Sequence, residues 1–135
     1  MELAEFFKGV PNFLAYLALG FGLLAAFFII YLWVTHHDEM RLIRGGNSAA
    51  ALSLAGAVLG FMFPLGMVIA HHATLAKVAF WGIVALIVQI VAYFIARAIM
   101  PGLPQAIEGG KVSVGAFSGL VSLSIGILNA ACQIE

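Results

Sequence analysis

The sequence predicts an all-α integral membrane protein whose four transmembrane helices form two hairpin repeats of parallel topology. Of its residues, 64% are hydrophobic and 9% are charged, whereas soluble domains carry about 25% charged residues. So few charged side chains cannot cover a surface that faces water, so the lipid bilayer is the expected environment. Four apolar stretches are long enough to cross it, and a glycine-pair turn between them occurs twice.

Residues 1–12 are predicted to form an amphipathic segment at the membrane interface. Its apolar residues fall on one helical face: Leu3, Phe6, Phe7 and Val10. This spacing is typical of a surface helix, and Pro11 is predicted to end it. The alternative is that this segment extends the helix that follows. Acidic residues near the start exclude a typical signal peptide.

Two-helix repeats are predicted to fill the remainder of the chain, at residues 13–70 and 78–134. The four predicted helices are 13–34, 49–70, 78–100 and 112–134. At 1.5 Å per residue, each exceeds the roughly 30 Å of a hydrocarbon core. Because each repeat crosses the membrane twice, both begin on the same side, and rotation about the membrane normal should relate them.

The glycine-pair turn is the clearest mark of duplication. Its residues recur at an offset of 64, as Ile43, Gly45 and Gly46 in the first repeat and Ile107, Gly109 and Gly110 in the second. Glycine adopts the left-handed conformation that ends many helices at little cost. These glycines are therefore predicted to form the turns between helices, with Asn47 or Ser48 capping the helix that follows.

Small residues mark two helices for close packing. Gly56 and Gly60 form a GxxxG pair in the second helix, and Gly115 and Gly119 form another in the fourth. Such pairs let two helix backbones approach closely in a membrane. Two glycine faces and a polar stripe are more than one small bundle needs to bury, so the sequence predicts a homo-oligomer.

Polar residues within the predicted helices are the candidates for a functional site: Gln89, Ser118, Ser122 and Asn129. Gln89 lies near the middle of its helix, where an unpaired amide costs several kcal/mol, so an interhelical hydrogen bond is expected. The other three share one side of the fourth helix. That side either lines a path for water or a small ion or packs against another helix, which is the usual role of such residues in membranes.

No residue pattern predicts an enzyme or a bound cofactor. The lone Cys132 excludes an internal disulfide and a cysteine-built zinc site. An enzyme would need a nucleophile with a base within reach, and no buried histidine is predicted near Cys132 or Ser122 to act as that base. Zero net charge gives no indication of nucleic-acid binding.

Two histidine pairs are predicted on opposite sides of the membrane: His36 with His37, and His71 with His72. Neighbouring helical residues point about 100° apart, so neither pair is expected to chelate a metal ion, and the two pairs cannot combine. Asp38 and Glu39 follow the first pair, and this cluster is predicted to be solvated at the interface. No acidic or basic side chain is predicted at mid-membrane, which argues against a proton-coupled carrier.

Basic residues predict the orientation. The first and third loops hold four, Arg41, Arg44, Arg97 and Lys111, whereas the N-terminus and second loop hold Lys8 and Lys77. Basic loops favour the cytoplasm. Both termini are therefore predicted to be periplasmic.

Two stretches carry a resemblance to a known family. They are an acidic turn, with Asp38, Glu39, Ile43, Arg44, Gly46 and Asn47, and the segment LNAAC at 128–132. With these, residues 13–132 resemble the YjfL family of bacterial inner-membrane proteins. The resemblance implies an inner-membrane location and a duplicated two-helix unit, and it assigns no catalytic or binding residues. Family members are associated with envelope-stress genes, which implies other envelope proteins as partners.

The sequence thus favours an oligomeric structural or scaffold component of the envelope. Its expected partners are the lipid bilayer, further copies of the chain and other envelope proteins. The alternative is a channel or transporter for a small ion or solute, lined by polar residues of the fourth helix. An intramembrane enzyme is the least supported class.

Overall fold

The computed structural model describes residues 2–35, 39–71 and 73–133. Within these ranges the chain forms helices α1 (Leu3–Thr35), α2 (Glu39–Arg44), α3 (Ser48–Ala70), α4 (Leu75–Ile99), α5 (Leu103–Glu108) and α6 (Val112–Cys132). The helices α1, α3, α4 and α6 are long and apolar enough to cross a membrane. The short helices α2 and α5 precede α3 and α6. The predicted all-α fold with four membrane helices is confirmed.

The N-terminal segment belongs to the first long helix. Because α1 continues without a break through Pro11, the predicted helix end near that residue is wrong. Proline removes one backbone donor, and α1 continues past Pro11 despite this loss. Only the last turns of α1 are buried in the bundle, at Phe27, Tyr31 and Thr35.

The most extensive contact joins α3 to α6, and α4 packs against both helices. Glycines bring the two backbones together. A Cβ at Gly56 would overlap the backbone of Gly119, one at Gly115 would overlap that of Ala49, and one at Gly126 would overlap that of Gly60. Both predicted GxxxG pairs therefore face each other within one chain. This contradicts the premise that one small bundle cannot bury both glycine faces, and the homo-oligomer stays a prediction without that support.

The turns after α2 and α5 have the same backbone hydrogen bonds at an offset of 64. The donors and acceptors are Gly45 to Arg41, Gly46 to Ile43 and Asn47 to Leu42 in the first turn, and Gly109 to Gln105, Gly110 to Ile107 and Lys111 to Ala106 in the second. The second glycine of each pair is left-handed, with φ of 90° at Gly46 and 79° at Gly110. This correspondence covers the two turns. The duplication of the whole two-helix hairpin stays a prediction.

Asn47 joins the two turns. Its Oδ1 accepts a hydrogen bond from the Ala50 amide at 3.0 Å and caps α3, while its Nδ2 donates to the Ile107 carbonyl at 2.7 Å. Of the two predicted caps, Asn47 is therefore the one that the structure uses.

Replacing Asn47 with alanine is expected to lower the free energy of unfolding by about 2 kcal/mol, because it removes a cap and a further hydrogen bond. Thr74→Ala is the matched control, since the Thr74 hydroxyl caps α4 by accepting from the Lys77 amide. That variant should lose about 1 kcal/mol. Equilibrium unfolding in detergent micelles measures both, and equal losses would contradict the bond from Asn47 to α5.

Candidate functional site

Buried polar side chains from five helices, α1, α2, α3, α4 and α6, lie inside the bundle. Glu39, Thr35, Ser53, Gln89, Ser118 and Ser122 are each at most 3% exposed, and Tyr31 and Tyr93 are fully buried. We call these eight residues the polar column. Few polar groups are buried without a reason in a membrane protein, so this set is the candidate functional site.

Helical spacing aligns the polar column. Tyr31 and Thr35 are one turn apart on α1, and the pairs Gln89 with Tyr93 and Ser118 with Ser122 have the same spacing on α4 and α6. Residues four apart lie one above the other on the same helical face. On α1, α4 and α6, the two polar residues therefore lie on the same face of the helix, and that face is directed towards the interior of the bundle.

Glu39 lies at the outer end of the column. It is 2% exposed, and the Thr35 hydroxyl donates to its Oε1 at 2.7 Å. Burial raises the pKa of Glu39 to about 7, against the opposing effect of the bond from Thr35. A neutral carboxyl is thus accessible near physiological pH.

The prediction that the acidic cluster is solvated is wrong for Glu39. Because α2 packs against α3, the first residue of α2 is placed inside the bundle. His36, His37 and Asp38 lie outside the described residues, as does His72. His71 is exposed at the end of α3, where its Nδ1 lies 2.7 Å from the Met67 carbonyl.

Two hydrogen bonds connect helices deeper in the column. The Ser53 hydroxyl donates to that of Ser118 at 3.1 Å, and Gln89 Nε2 donates to the Ser122 carbonyl at 3.0 Å. The expected interhelical bond of Gln89 is therefore present. Gly60 makes room for it, since a Cβ there would overlap both the Gln89 amide and the Ser122 carbonyl.

Several atoms of the column retain unused hydrogen-bonding capacity. Among the described residues, the Tyr93 hydroxyl, Gln89 Oε1 and Ser122 Oγ have no hydrogen-bond partner. Burying such a group without a partner costs about 1–3 kcal/mol by protein mutational data. Pairing between helices therefore accounts for only part of the polarity of this site.

Asn129 lies apart from the other candidates. It is half-buried on α6, seven residues beyond Ser122 and therefore about 10 Å further along the helix. Its Nδ2 is buried, with no partner in the described part of the chain. The structure thus brings Gln89, Ser118 and Ser122 together and leaves Asn129 towards the other membrane face.

Within the described ranges, no group of three or more His, Cys, Asp or Glu side chains lies close enough to hold a metal ion. Cys132 is exposed at the end of α6. Buried hydroxyls, one amide and one carboxyl therefore make up the chemistry of the polar column, and these groups exchange hydrogen bonds and protons.

Comparison with known proteins places this architecture in a family. A family model described as Domain of Unknown Function (DUF350) matches residues 5–133. The UPF0719 inner membrane protein YjfL of Escherichia coli strain K12 is 34% identical over 121 residues, which cover 90% of this chain and 92% of that protein. The protein of the same name from strain O157:H7 matches with the same values. No solved structure matches.

The matches cover nearly the whole chain and agree with its four apolar helices. They confirm the resemblance to the YjfL family. The chain therefore belongs to the DUF350 family, and it is a multi-pass protein of the bacterial inner membrane.

Proposed function

We propose that this protein provides a path through the inner membrane for a small ion or polar solute and that the polar column lines this path. The carrying observation is that Gln89 and Ser122, both fully buried, retain Oε1 and Oγ atoms without partners among the described residues. Buried polar groups that serve packing alone are normally paired. Unpaired atoms aligned along a bundle suit a species that forms transient hydrogen bonds as it passes.

The column extends from the end of the bundle to its middle. Gln89 lies ten residues before Ile99, the end of α4, which corresponds to about 15 Å of a roughly 30 Å core. Phe61, next to Gly60, stacks on Phe27 with ring centroids 4.6 Å apart. We propose that this aromatic pair closes the inner end of the column and that the path continues to Asn129 when the pair separates.

The bias of lysine and arginine towards the first and third loops supports an orientation with Glu39 at the cytoplasmic end. A reporter fused to the C-terminus tests this part of the proposal, because both termini would then be periplasmic. Activity of that reporter in the cytoplasm alone would reverse the direction of the path.

The oligomeric scaffold favoured by the sequence stays a prediction. Its support was the pair of glycine faces, which pack against each other within one chain. Contacts with other envelope proteins rest on the family resemblance. The unpaired polar atoms of the column have no role in a scaffold, and the path is therefore the function that the geometry supports better.

Ser122→Ala and Gln89→Leu are expected to reduce flux through the purified protein in proteoliposomes about tenfold, the effect of losing about 1.4 kcal/mol of stabilisation of the passing species. The ions to compare are H⁺, K⁺, Na⁺ and Cl⁻. Ser124→Ala is the matched control, because Ser124 lies two residues from Ser122 on α6 but is exposed. Its flux should equal that of the original protein.

Two results would contradict the path. One is silence for all four ions, with the protein shown to be folded and inserted. The other is equal flux in the Ser122 and Ser124 variants, which would leave the Ser122 hydroxyl without a role in permeation.

A further inference from the structure

We propose that the polar column carries protons and that Glu39 is the group that loads them. This inference rests on the path proposed above and names the species that passes.

The position that corresponds to Glu39 in the second half of the chain shows which kind of side chain the packing of the fold requires. Glu39 begins α2 and Leu103 begins α5, 64 residues later, and both short helices lead into the same glycine turn. Leu103 is fully buried, and Glu39 is 2% exposed. A leucine therefore serves packing at this place, whereas a carboxyl adds a desolvation cost. Packing does not explain the carboxyl.

The groups around Glu39 favour a carboxyl that gains and loses a proton. Thr35 donates to Oε1, and the hydroxyls of Tyr31 from α1 and Tyr93 from α4 lie within electrostatic reach. Arg97, exposed on α4, acts on Tyr93. From helices other than α2, the titratable groups that act on this cluster thus include Tyr31, Tyr93 and Arg97. Burial raises the pKa of Glu39 to about 7, which agrees with reversible protonation near neutral pH.

Proton transfer along the column balances at each step. A proton from water at the bundle end forms an O–H bond on the Glu39 carboxylate, which becomes neutral. When the carboxyl passes that proton to a hydroxyl, the hydroxyl releases its own proton to the next acceptor. The carboxylate is restored, and each hydroxyl ends with one proton, as it began. Hydroxyl groups both donate and accept, so they suit this relay.

The spacing of the column favours a proton over a hydrated ion. Ser53 and Ser118 are 3.1 Å apart, and Gln89 Nε2 lies 3.0 Å from the Ser122 carbonyl. These are direct hydrogen bonds, and a hydrated metal ion would have to break them. A proton passes directly between hydroxyls that are hydrogen-bonded, as Ser53 and Ser118 are. The Tyr93 hydroxyl and Ser122 Oγ, which have no partner among the described residues, join the relay by rotating, so a proton needs the smallest rearrangement of the bundle.

The test is proton flux in proteoliposomes, measured with an internal pH-sensitive dye under a K⁺ diffusion potential. Glu39→Gln keeps the size of the side chain, and Glu39→Leu copies Leu103. Both should reduce proton flux about tenfold or more, while Ser124→Ala should not change it. Infrared spectra of the full chain are the second measurement, and a protonated-carboxyl band that titrates near neutral pH should disappear in Glu39→Gln.

The outcomes separate this inference from the path on which it rests. Flux of K⁺, Na⁺ or Cl⁻ without proton flux, unaffected by Glu39→Gln, would keep the path and overturn the inference. Proton flux that Glu39→Gln leaves unchanged, or the absence of the titrating band, would also overturn it. Silence for every ion would overturn both proposals.

Discussion

Replacing Gly56 with alanine is expected to lower the free energy of unfolding by about 3 kcal/mol or more. The added Cβ would overlap the backbone of Gly119 on α6, and a backbone cannot move aside as the end of a flexible side chain can. Overpacking a tight contact costs about 1–3 kcal/mol where side chains can adjust, and occasionally more. Here α3 and α6 must separate along their whole contact, which is the most extensive in the bundle.

Gly66→Ala on the same helix is the matched control. Nothing lies within 4 Å of a Cβ built at Gly66, so this substitution should leave stability unchanged or raise it by up to about 1 kcal/mol through helix propensity. Unfolding in detergent, together with size-exclusion chromatography, measures the two variants. A Gly56 variant that unfolds like the original protein but no longer forms an oligomer would contradict this prediction. It would indicate that the Gly56 face contacts another copy of the chain.

The glycine pairs show how far sequence pattern extends. GxxxG spacing predicted helix packing at Gly56, Gly60, Gly115 and Gly119, and a Cβ at any of the four would overlap atoms of a facing helix. Their spacing does not encode which helix is the partner, because contacts within one chain and between chains need the same small residues. The partner depends on how the turns after α2 and α5 direct α3 and α6, and that is a property of the whole fold.

Glu39 is a residue of the candidate site whose burial the sequence analysis missed. Its neighbours in the sequence suggested a solvated cluster, and its burial follows from the packing of α2 against α3. Two signals in the sequence could have indicated it. Thr35 lies four residues before Glu39, and the offset of 64 pairs Glu39 with the apolar Leu103. Gln89, Ser118 and Ser122 could be selected as candidates from the sequence, because polar residues inside apolar helices stand out from their surroundings.

The stability of the protein is expected to fall as pH rises from about 4.5 to 7, by about 3 kcal/mol in total. Burial raises the pKa of Glu39 from its ordinary 4.5 to about 7 in the folded state. Below pH 4.5 the carboxyl is protonated in both the folded and the unfolded state, so it imposes no penalty. Between the two pKa values only the folded state holds the proton, and above pH 7 it buries a charge. One pKa unit corresponds to about 1.4 kcal/mol.

Glu39→Gln isolates this contribution, because it keeps the shape of the side chain and removes its titration. Equilibrium unfolding between pH 4 and 8 should show the decline in the original protein and a flatter curve in the variant, since other groups titrate equally in both. The difference between the curves is therefore the measured quantity. It should grow from pH 4.5 and level off above pH 7, where the variant is the more stable of the two. A constant difference across this range would mean that the pKa of Glu39 is the same in the folded and unfolded states. That result would contradict the rise in pKa that burial of this carboxyl is expected to cause.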